Sequence, residues 1–237
     1  MRSVLAMTIV LLAGGCGSAA PVAPPNASSS QAARPPAGPE RLVVAFGDSL
    51  YAGYGVKPNE AWPAKLQAAL WARGINAKLV NAGVSGDTTA AGRQRLTFLL
   101  DSLPRSPDLV IVGLGGNDML RALPPAQARA NLDAILRELD RRKIPAMLTG
   151  MLAAPNLGAD YARDFNAMYP ALAKQYDAAL VPFFMASVFD QPKLFQPDRV
   201  HPTAAGIDAI VADTVDAVAG AISGTGAISG AAPPPPR

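Results

Sequence analysis

Residues 108–118 read Asp-Leu-Val-Ile-Val-Gly-Leu-Gly-Gly-Asn-Asp. An unbroken apolar run between a polar residue and glycines is typical of a strand that is buried on both faces. We therefore predict a strand over Asp108–Leu114, and the Gly-Gly-Asn-Asp that follows it predicts a loop with polar side chains.

Strands and helices alternate along the chain on both sides of this segment. Short apolar runs predict four further strands at Arg41–Phe46, Ala77–Asn81, Ala146–Gly150 and Leu180–Pro182. Helical spacing of apolar residues predicts five helices at Ala61–Arg73, Thr88–Leu103, Pro124–Arg142, Asp160–Tyr176 and Thr203–Ala221. This alternation predicts an α/β fold in which helices cover both faces of a five-stranded parallel sheet.

Polar or Gly-rich segments follow the predicted strands. In open parallel sheets, ligands bind at the carboxyl ends of the strands, so these segments are expected to share one site. They are Gly-Asp-Ser-Leu at 47–50, Asn-Ala-Gly-Val-Ser-Gly-Asp-Thr at 81–88, Gly-Gly-Asn-Asp at 115–118 and Asp-Arg-Val-His-Pro at 198–202.

These segments hold the groups that serine catalysis requires: a hydroxyl, an imidazole base and a carboxylate that orients the base. His201 is the only histidine, and Asp198 precedes it by three residues, so one loop can present both side chains. Ser49 is the candidate nucleophile, and Ser85 is the rival. Taken alone, a single histidine is more often a structural residue, and Gly-Asp-Ser-Leu is a weak motif.

Two further residues could stabilise an oxyanion. Gly86 offers a backbone N–H that can be approached closely because it lacks a Cβ, and Asn117 offers an amide donor. The plainer interpretation is that Gly86 is a turn glycine and Asn117 a loop or cap residue.

Together, Ser49, Gly86, Asn117 and His201 resemble, in order and setting, the four blocks of the GDSL (SGNH) hydrolases. The resemblance covers residues 41–222 and is closest to the bacterial periplasmic thioesterase, lysophospholipase and arylesterase branch. Further segments of that branch's type are Ala-Gly-Tyr-Gly at 52–55, Ala-Trp-Pro at 61–63, Ser-Gly-Asp-Thr at 85–88 and Pro-Phe-Phe-Met at 182–185.

The resemblance implies a flavodoxin-like three-layer α/β/α sandwich and a serine esterase. It implies that Ser49 is the nucleophile, that His201 is the acid and base, and that Asp198 orients the imidazole. The oxyanion donors would be the backbone N–H groups of Ser49 and Gly86 and the Asn117 amide. Residues Asp48 and Asp118 would be supporting or capping residues, and no metal or cofactor is implied.

In related enzymes, two loops border the acyl groove. Here these loops carry the candidate substrate-binding residues Met119, Leu120, Leu123, Pro155 and Asn156. The apolar members would suit short or medium acyl chains or aryl esters, although Met119, Leu120 and Leu123 could equally begin a helix and pack on the core.

Acyl or aryl esters such as lysophospholipids, and thioesters, are the expected substrates. Two alternatives stay open: a carbohydrate O-acetyl esterase on the same scaffold, and a non-enzymatic envelope lipoprotein with a vestigial site.

The N-terminal segment is typical of a secreted lipoprotein. A charged start, a short apolar stretch and Leu-Ala-Gly-Gly-Cys at 12–16 resemble a bacterial lipoprotein box, which implies cleavage before Cys16 and lipidation of its thiol. Gly-Ser follows the cysteine, which by resemblance to lipoprotein sorting rules favours the outer membrane, facing the periplasm. The plainer alternative is an ordinary signal peptide with a stray cysteine. We predict a signal peptide at 1–15, Cys16 with a flexible Ala/Pro/Ser tether at 16–39, the hydrolase domain at 40–223 and a disordered tail at 224–237.

Charge and cysteine content exclude several classes of protein. Three of the 21 Lys and Arg residues lie in the tails, and all 18 Asp and Glu residues lie within 40–216, so the domain is formally neutral. Its only basic run, at 141–143, predicts no nucleic-acid interface. One Cys and one His exclude a disulfide framework and a Cys/His zinc site, and no protein partner is implied.

Overall fold

A computed structural model describes residues 34–224 of the chain. Its five strands form one parallel sheet in the order β2-β1-β3-β4-β5. The strands are β1 Arg41–Gly47, β2 Ala77–Gly83, β3 Leu109–Gly113, β4 Ala146–Thr149 and β5 Ala179–Val181. This strand order is flavodoxin-like, and it confirms the predicted sheet.

Seven α-helices lie within residues 34–224. They are α1 Ser49–Ala52, α2 Trp62–Ala72, α3 Thr89–Ser102, α4 Gly116–Leu120, α5 Pro125–Arg141, α6 Ala159–Gln175 and α7 Ala204–Ile222. The five long helices confirm the predicted ones to within a residue at each end. The short helices α1 and α4 were not predicted, because four or five residues carry no helical periodicity.

Threonine side chains cap the N-termini of two of the long helices. The Thr88 hydroxyl accepts a hydrogen bond from the Ala91 N–H at the start of α3. The Thr203 hydroxyl accepts one from Gly206 in the same way at the start of α7. Each hydroxyl satisfies a backbone donor that the first turn leaves unpaired.

Alternate side chains of each central strand enter two separate cores. In β1, Val44 and Phe46 pack with α3, α5 and α6, whereas Val43 and Ala45 pack with α2 and α7 on the other face. Because both faces of the sheet are covered, β3 and the part of β1 that follows Arg41 contain only apolar residues and glycine. The result is the three-layer α/β/α sandwich.

The sheet has its switch point between β1 and β3. After β1 the chain crosses to β2 at one edge, and after β3 it proceeds to β4 on the opposite side. This divergence opens a crevice at the carboxyl ends of the two strands, where Ser49 and Asn117 follow them.

Several sequence predictions lie outside the described residues. They are the signal peptide at 1–15, Cys16, most of the tether, and the tail beyond Gly224. Within 34–224, no helix combines the length and the apolar character needed to cross a membrane.

Candidate active site

Ser49 is the first residue of α1, directly after β1. The Asp48 carboxylate caps this helix by accepting a hydrogen bond from the Leu50 N–H at 3.0 Å. A cap of this kind fixes the direction in which the helix leaves the strand. Ser49 is therefore held at the carboxyl edge of the sheet and stays partly exposed.

Three glycines at the ends of neighbouring strands make room for α1. Gly47 pairs in register with Gly83 on one side and with Gly113 on the other. A Cβ at Gly47 or Gly113 would overlap the Tyr51 ring, and one at Gly83 would overlap the backbone of Ala52. The glycine row lets the helix that carries the candidate nucleophile lie directly on the sheet.

The Ser49, His201 and Asp198 side chains form a continuous hydrogen-bonded chain. His201 Nδ1 lies 2.7 Å from Asp198 Oδ2, and His201 Nε2 lies 2.9 Å from Ser49 Oγ. With Asp198 ionised, Nδ1 carries the proton and donates to it, so Nε2 accepts from the Ser49 hydroxyl. The structure thus brings together the three side chains that the sequence singled out.

Asp198 is held in its ionised form by hydrogen bonds. Its Oδ1 accepts from the backbone N–H groups of Val200 at 2.9 Å and His201 at 3.0 Å. These bonds to the backbone and to the imidazole lower the pKa of Asp198 to about 2. The carboxylate therefore stays an acceptor over the whole neutral pH range.

The two predicted oxyanion residues lie on adjoining loops. Gly86 has φ +84°, and its carbonyl accepts a hydrogen bond from Arg121 at 2.9 Å, which ties the β2 loop to α4. The backbone N–H groups of Ser49 and Gly86 donate to no other group within residues 34–224. Asn117 Nδ2 donates to the Asp87 carbonyl at 3.0 Å and to Asp48 Oδ2 at 3.3 Å.

Comparison with known proteins identifies the family to which the chain belongs. The model of the GDSL-like lipase/acylhydrolase family matches residues 45–209, well over half of the chain. The chain belongs to this family. It is an SGNH-type hydrolase. Its relatives are named as esterases and a thioesterase, which agrees with the activity expected from the sequence.

The relatives of this GDSL hydrolase include bacterial enzymes that align with it over most of their length. Esterase TesA of Pseudomonas aeruginosa is 38% identical over 165 residues, which are 70% of this chain and 81% of that protein. The thioesterase 1/protease 1/lysophospholipase L1 of Escherichia coli strain K12 is 39% identical over 160 residues, 68% and 74% of the two chains. The crystal structure of AlinE4, an SGNH-hydrolase family esterase, is 60% identical with a TM-score of 0.67, covering 78% of this chain and 98% of that one.

Asp48 is a buried carboxyl group with a raised pKa in the site of the GDSL hydrolase. Its side chain is buried beside Ser49, with the residue only 4% exposed, and burial raises its pKa to about 6. The hydrogen bonds from Leu50 and Asn117 and the proximity of His201 oppose this rise, whereas Asp87 adds to it. The group keeps its proton to a higher pH than a carboxyl in water does.

Two other acidic residues support the loops of the site. Asp118 is buried and accepts hydrogen bonds from the Thr89 N–H and hydroxyl at 2.8 and 2.6 Å, which joins α4 to the start of α3. Asp87 pairs with Arg95 at 2.6 Å. The capping or supporting role predicted for Asp48 and Asp118 agrees with these contacts.

A positioning contact that the sequence did not reveal lies between the nucleophile and base loops. Gln196 Nε2 donates to the Tyr54 carbonyl at 2.8 Å and to the Pro202 carbonyl at 3.0 Å. The Tyr54 ring packs on the imidazole of His201 with 4.4 Å between ring centroids. Tyr54 lies in the Ala-Gly-Tyr-Gly segment, but nothing in that segment shows which loop it will meet.

The candidate substrate-binding residues divide into two groups. Met119 is half-buried and packs against the core, and Leu123 is also half-buried. Residues Leu120, Pro155 and Asn156 are exposed, the last two in a short 3-10 helix at Pro155–Leu157. Met119 therefore packs on the core, as one of the two alternatives for it predicted. Leu120, Pro155 and Asn156 are accessible to a substrate.

Ser85 lies apart from the only imidazole of the chain. His201 Nε2 is engaged with Ser49, and Ser85 is exposed on the loop after β2. The geometry favours Ser49 over Ser85 as the nucleophile.

Proposed function

We propose that this GDSL hydrolase is a serine carboxylesterase in which Ser49, His201 and Asp198 act as a catalytic triad. The observation that carries the proposal is the hydrogen-bonded chain from Asp198 through His201 to Ser49, at 2.7 and 2.9 Å. Its substrates would be acyl or aryl esters, lysophospholipids among them, and thioesters.

The geometry supports two half-reactions. Ser49 Oγ attacks the acyl carbonyl as His201 Nε2 takes its proton, and the tetrahedral intermediate collapses when Nε2 returns that proton to the leaving oxygen or sulfur. Water then attacks the acyl-serine with His201 again as base, which releases the acid and regenerates the Ser49 hydroxyl. Asp198 stabilises the imidazolium in both steps.

The developing oxyanion would be bound by three donors. The backbone N–H groups of Ser49 and Gly86 are free among the described residues, and Asn117 Nδ2 lies on the adjoining loop. Such preorganised donors stabilise charge that appears only in the transition state.

The AlinE4 structures support the assignment of Ser49 and Asp198. Two of them are alanine mutants, one of a serine and one of an aspartate. The two mutated positions are separated by the same number of residues as Ser49 and Asp198 are in this chain.

Exposed apolar side chains close in sequence to the site residues favour an apolar substrate over an acetylated sugar. Tyr54, Val84, Leu120 and Val200 are 53%, 44%, 58% and 39% exposed, and each lies within five residues of a triad or oxyanion residue. Exposed apolar residues on the loops that carry the site residues would suit a substrate with apolar groups. We further propose that the enzyme is anchored through Cys16 in the bacterial envelope, where acyl-CoA is not available.

A panel of esters tests the proposal. Ester hydrolysis is measured with p-nitrophenyl esters of increasing chain length, a lysophospholipid and an acetylated sugar, using wild type, Ser49→Ala and His201→Ala. We expect each substitution to lower kcat by several powers of ten on an intact fold. Near-wild-type turnover by either folded variant would overturn the triad, and activity on the acetylated sugar alone would indicate the carbohydrate esterase.

A further inference from the structure

We propose that Tyr54 forms a wall of the leaving-group subsite and selects esters whose alcohol is aromatic. This inference rests on the proposed function, because it takes His201 to be the residue that protonates the leaving oxygen. It assigns to Tyr54 a part in specificity that the triad and the oxyanion donors do not have.

The position of the leaving group follows from the roles of the surrounding groups. The oxyanion must face Gly86 and Asn117, whereas the leaving oxygen must face His201 Nε2 to receive its proton. The Tyr54 ring lies against the imidazole, with centroids 4.4 Å apart and planes 35° from each other. A group attached to the leaving oxygen therefore emerges beside the Tyr54 ring.

Tyr54 is held from both sides of the triad. Its N–H donates to the Ser49 carbonyl at 3.1 Å, and its carbonyl accepts from Gln196 Nε2 at 2.8 Å. Gln196 in turn binds the Pro202 carbonyl, and its own N–H donates to the His201 carbonyl at 2.8 Å. The Tyr54 backbone is thus fixed relative to both the nucleophile and the base, and the ring it carries packs on the imidazole.

The exposure of the Tyr54 ring shows that this aromatic side chain does not serve to pack the core. Tyr54 is 53% exposed although its backbone is anchored, and its hydroxyl makes no hydrogen bond within the described residues. An exposed aromatic ring that packs on the catalytic imidazole offers a stacking partner to a flat group.

Three esters that share the same acyl group and differ in their alcohol test the proposal. Phenyl, 2,2,2-trifluoroethyl and ethyl butanoate form the same acyl-enzyme, so differences in kcat/KM report the acylation step alone. The first two have acidic alcohols that leave readily, whereas ethanol depends most on protonation by His201. The enzymes compared are wild type, Tyr54→Leu, Tyr54→Phe and the control Phe98→Ala, which removes an 80% exposed aromatic on α3.

We expect Tyr54→Leu to lower the ratio of kcat/KM for phenyl over trifluoroethyl butanoate about three- to tenfold, the scale of one aromatic contact. Tyr54→Phe and Phe98→Ala should keep the wild-type ratio. An unchanged ratio in Tyr54→Leu would overturn the proposal. So would a loss confined to ethyl butanoate, because that pattern means Tyr54 only steadies His201.

The Ser49→Ala variant separates the proposed function from the role of Tyr54. If the wild type hydrolyses all three esters and Ser49→Ala hydrolyses none, the proposed function stands whatever Tyr54→Leu does. If Ser49→Ala keeps the wild-type rates, the proposed function is wrong, and the role of Tyr54 is wrong with it.

Discussion

Asn117 has two amide hydrogens, and both are engaged in the structure. One donates to the Asp87 carbonyl at 3.0 Å and the other to Asp48 at 3.3 Å. The longer contact is the weaker one, so we expect an oxyanion to replace Asp48 as the acceptor. Asp48 thus holds the amide in place before substrate arrives, in addition to capping α1.

At the same residue scale, the buried carboxyl of Asp48 should make stability depend on pH. Its pKa rises from 3.8 to about 6 on folding, so between these values the folded state binds more protons than the unfolded state. The free energy of unfolding therefore falls as the pH rises through this window. The full effect is on the order of 3 kcal/mol.

Substituting Asp48→Asn should remove this dependence, because an amide does not titrate. We expect the wild-type free energy of unfolding, minus that of Asp48→Asn, to fall by roughly 2 kcal/mol between pH 4 and pH 7 in urea titrations, because part of the full effect lies below pH 4. Ser49→Ala keeps the carboxyl and should follow the wild type. Parallel curves for wild type and Asp48→Asn would show that the group does not titrate in this range.

At the scale of elements, the glycine row under α1 should be intolerant of side chains. In Gly113→Ala, the added methyl group overlaps the fully buried Tyr51 ring, whose hydroxyl lies 2.8 Å from that of Thr149. We expect a loss of about 1–3 kcal/mol in the free energy of unfolding. Displacement of Ser49 should also lower kcat on the order of ten- to a hundredfold.

A double-mutant cycle identifies the cause of that loss. If the overlap with the ring is responsible, Gly113→Ala should cost less in a Tyr51→Leu background, by about 0.5–3 kcal/mol. An equal cost in both backgrounds, measured by denaturant unfolding, would mean that Gly113 matters for another reason.

At the scale of the whole molecule, we predict that Cys16 is the lipidated first residue of the mature protein. The domain is formally neutral, so membrane association should depend on the acyl chains and not on charge. Detergent should release the protein from membranes, and a salt wash should not. Intact mass of the extracted protein gives the direct measurement.

Cys16→Ser serves as the matched variant. It should be released without detergent and retain esterase activity, because Cys16 is far in sequence from Ser49 and belongs to no element of the site. A mature chain that begins elsewhere, or that carries no acyl mass on Cys16, would contradict the prediction.

The layers of this protein and the identity of its chemical groups follow from local sequence patterns. Periodicity placed the five long helices to within one residue at each end, because each buries a continuous apolar stripe or ends at a clear signal. The single histidine with Asp198 three residues before it restricted any Ser-His site to one loop.

How these groups come together depends on the packing of segments that are distant in the chain. The helices α1 and α4, which carry Ser49 and Asn117, are too short for a periodic signal, and α1 lies on the sheet because three strand-end glycines leave room for it. The packing of Tyr54 on His201 brings together segments that are far apart in the chain. The pKa of Asp48 is raised by burial, which also depends on residues distant in the chain. Burial and stacking are properties of neighbours in space, and local sequence does not name those neighbours.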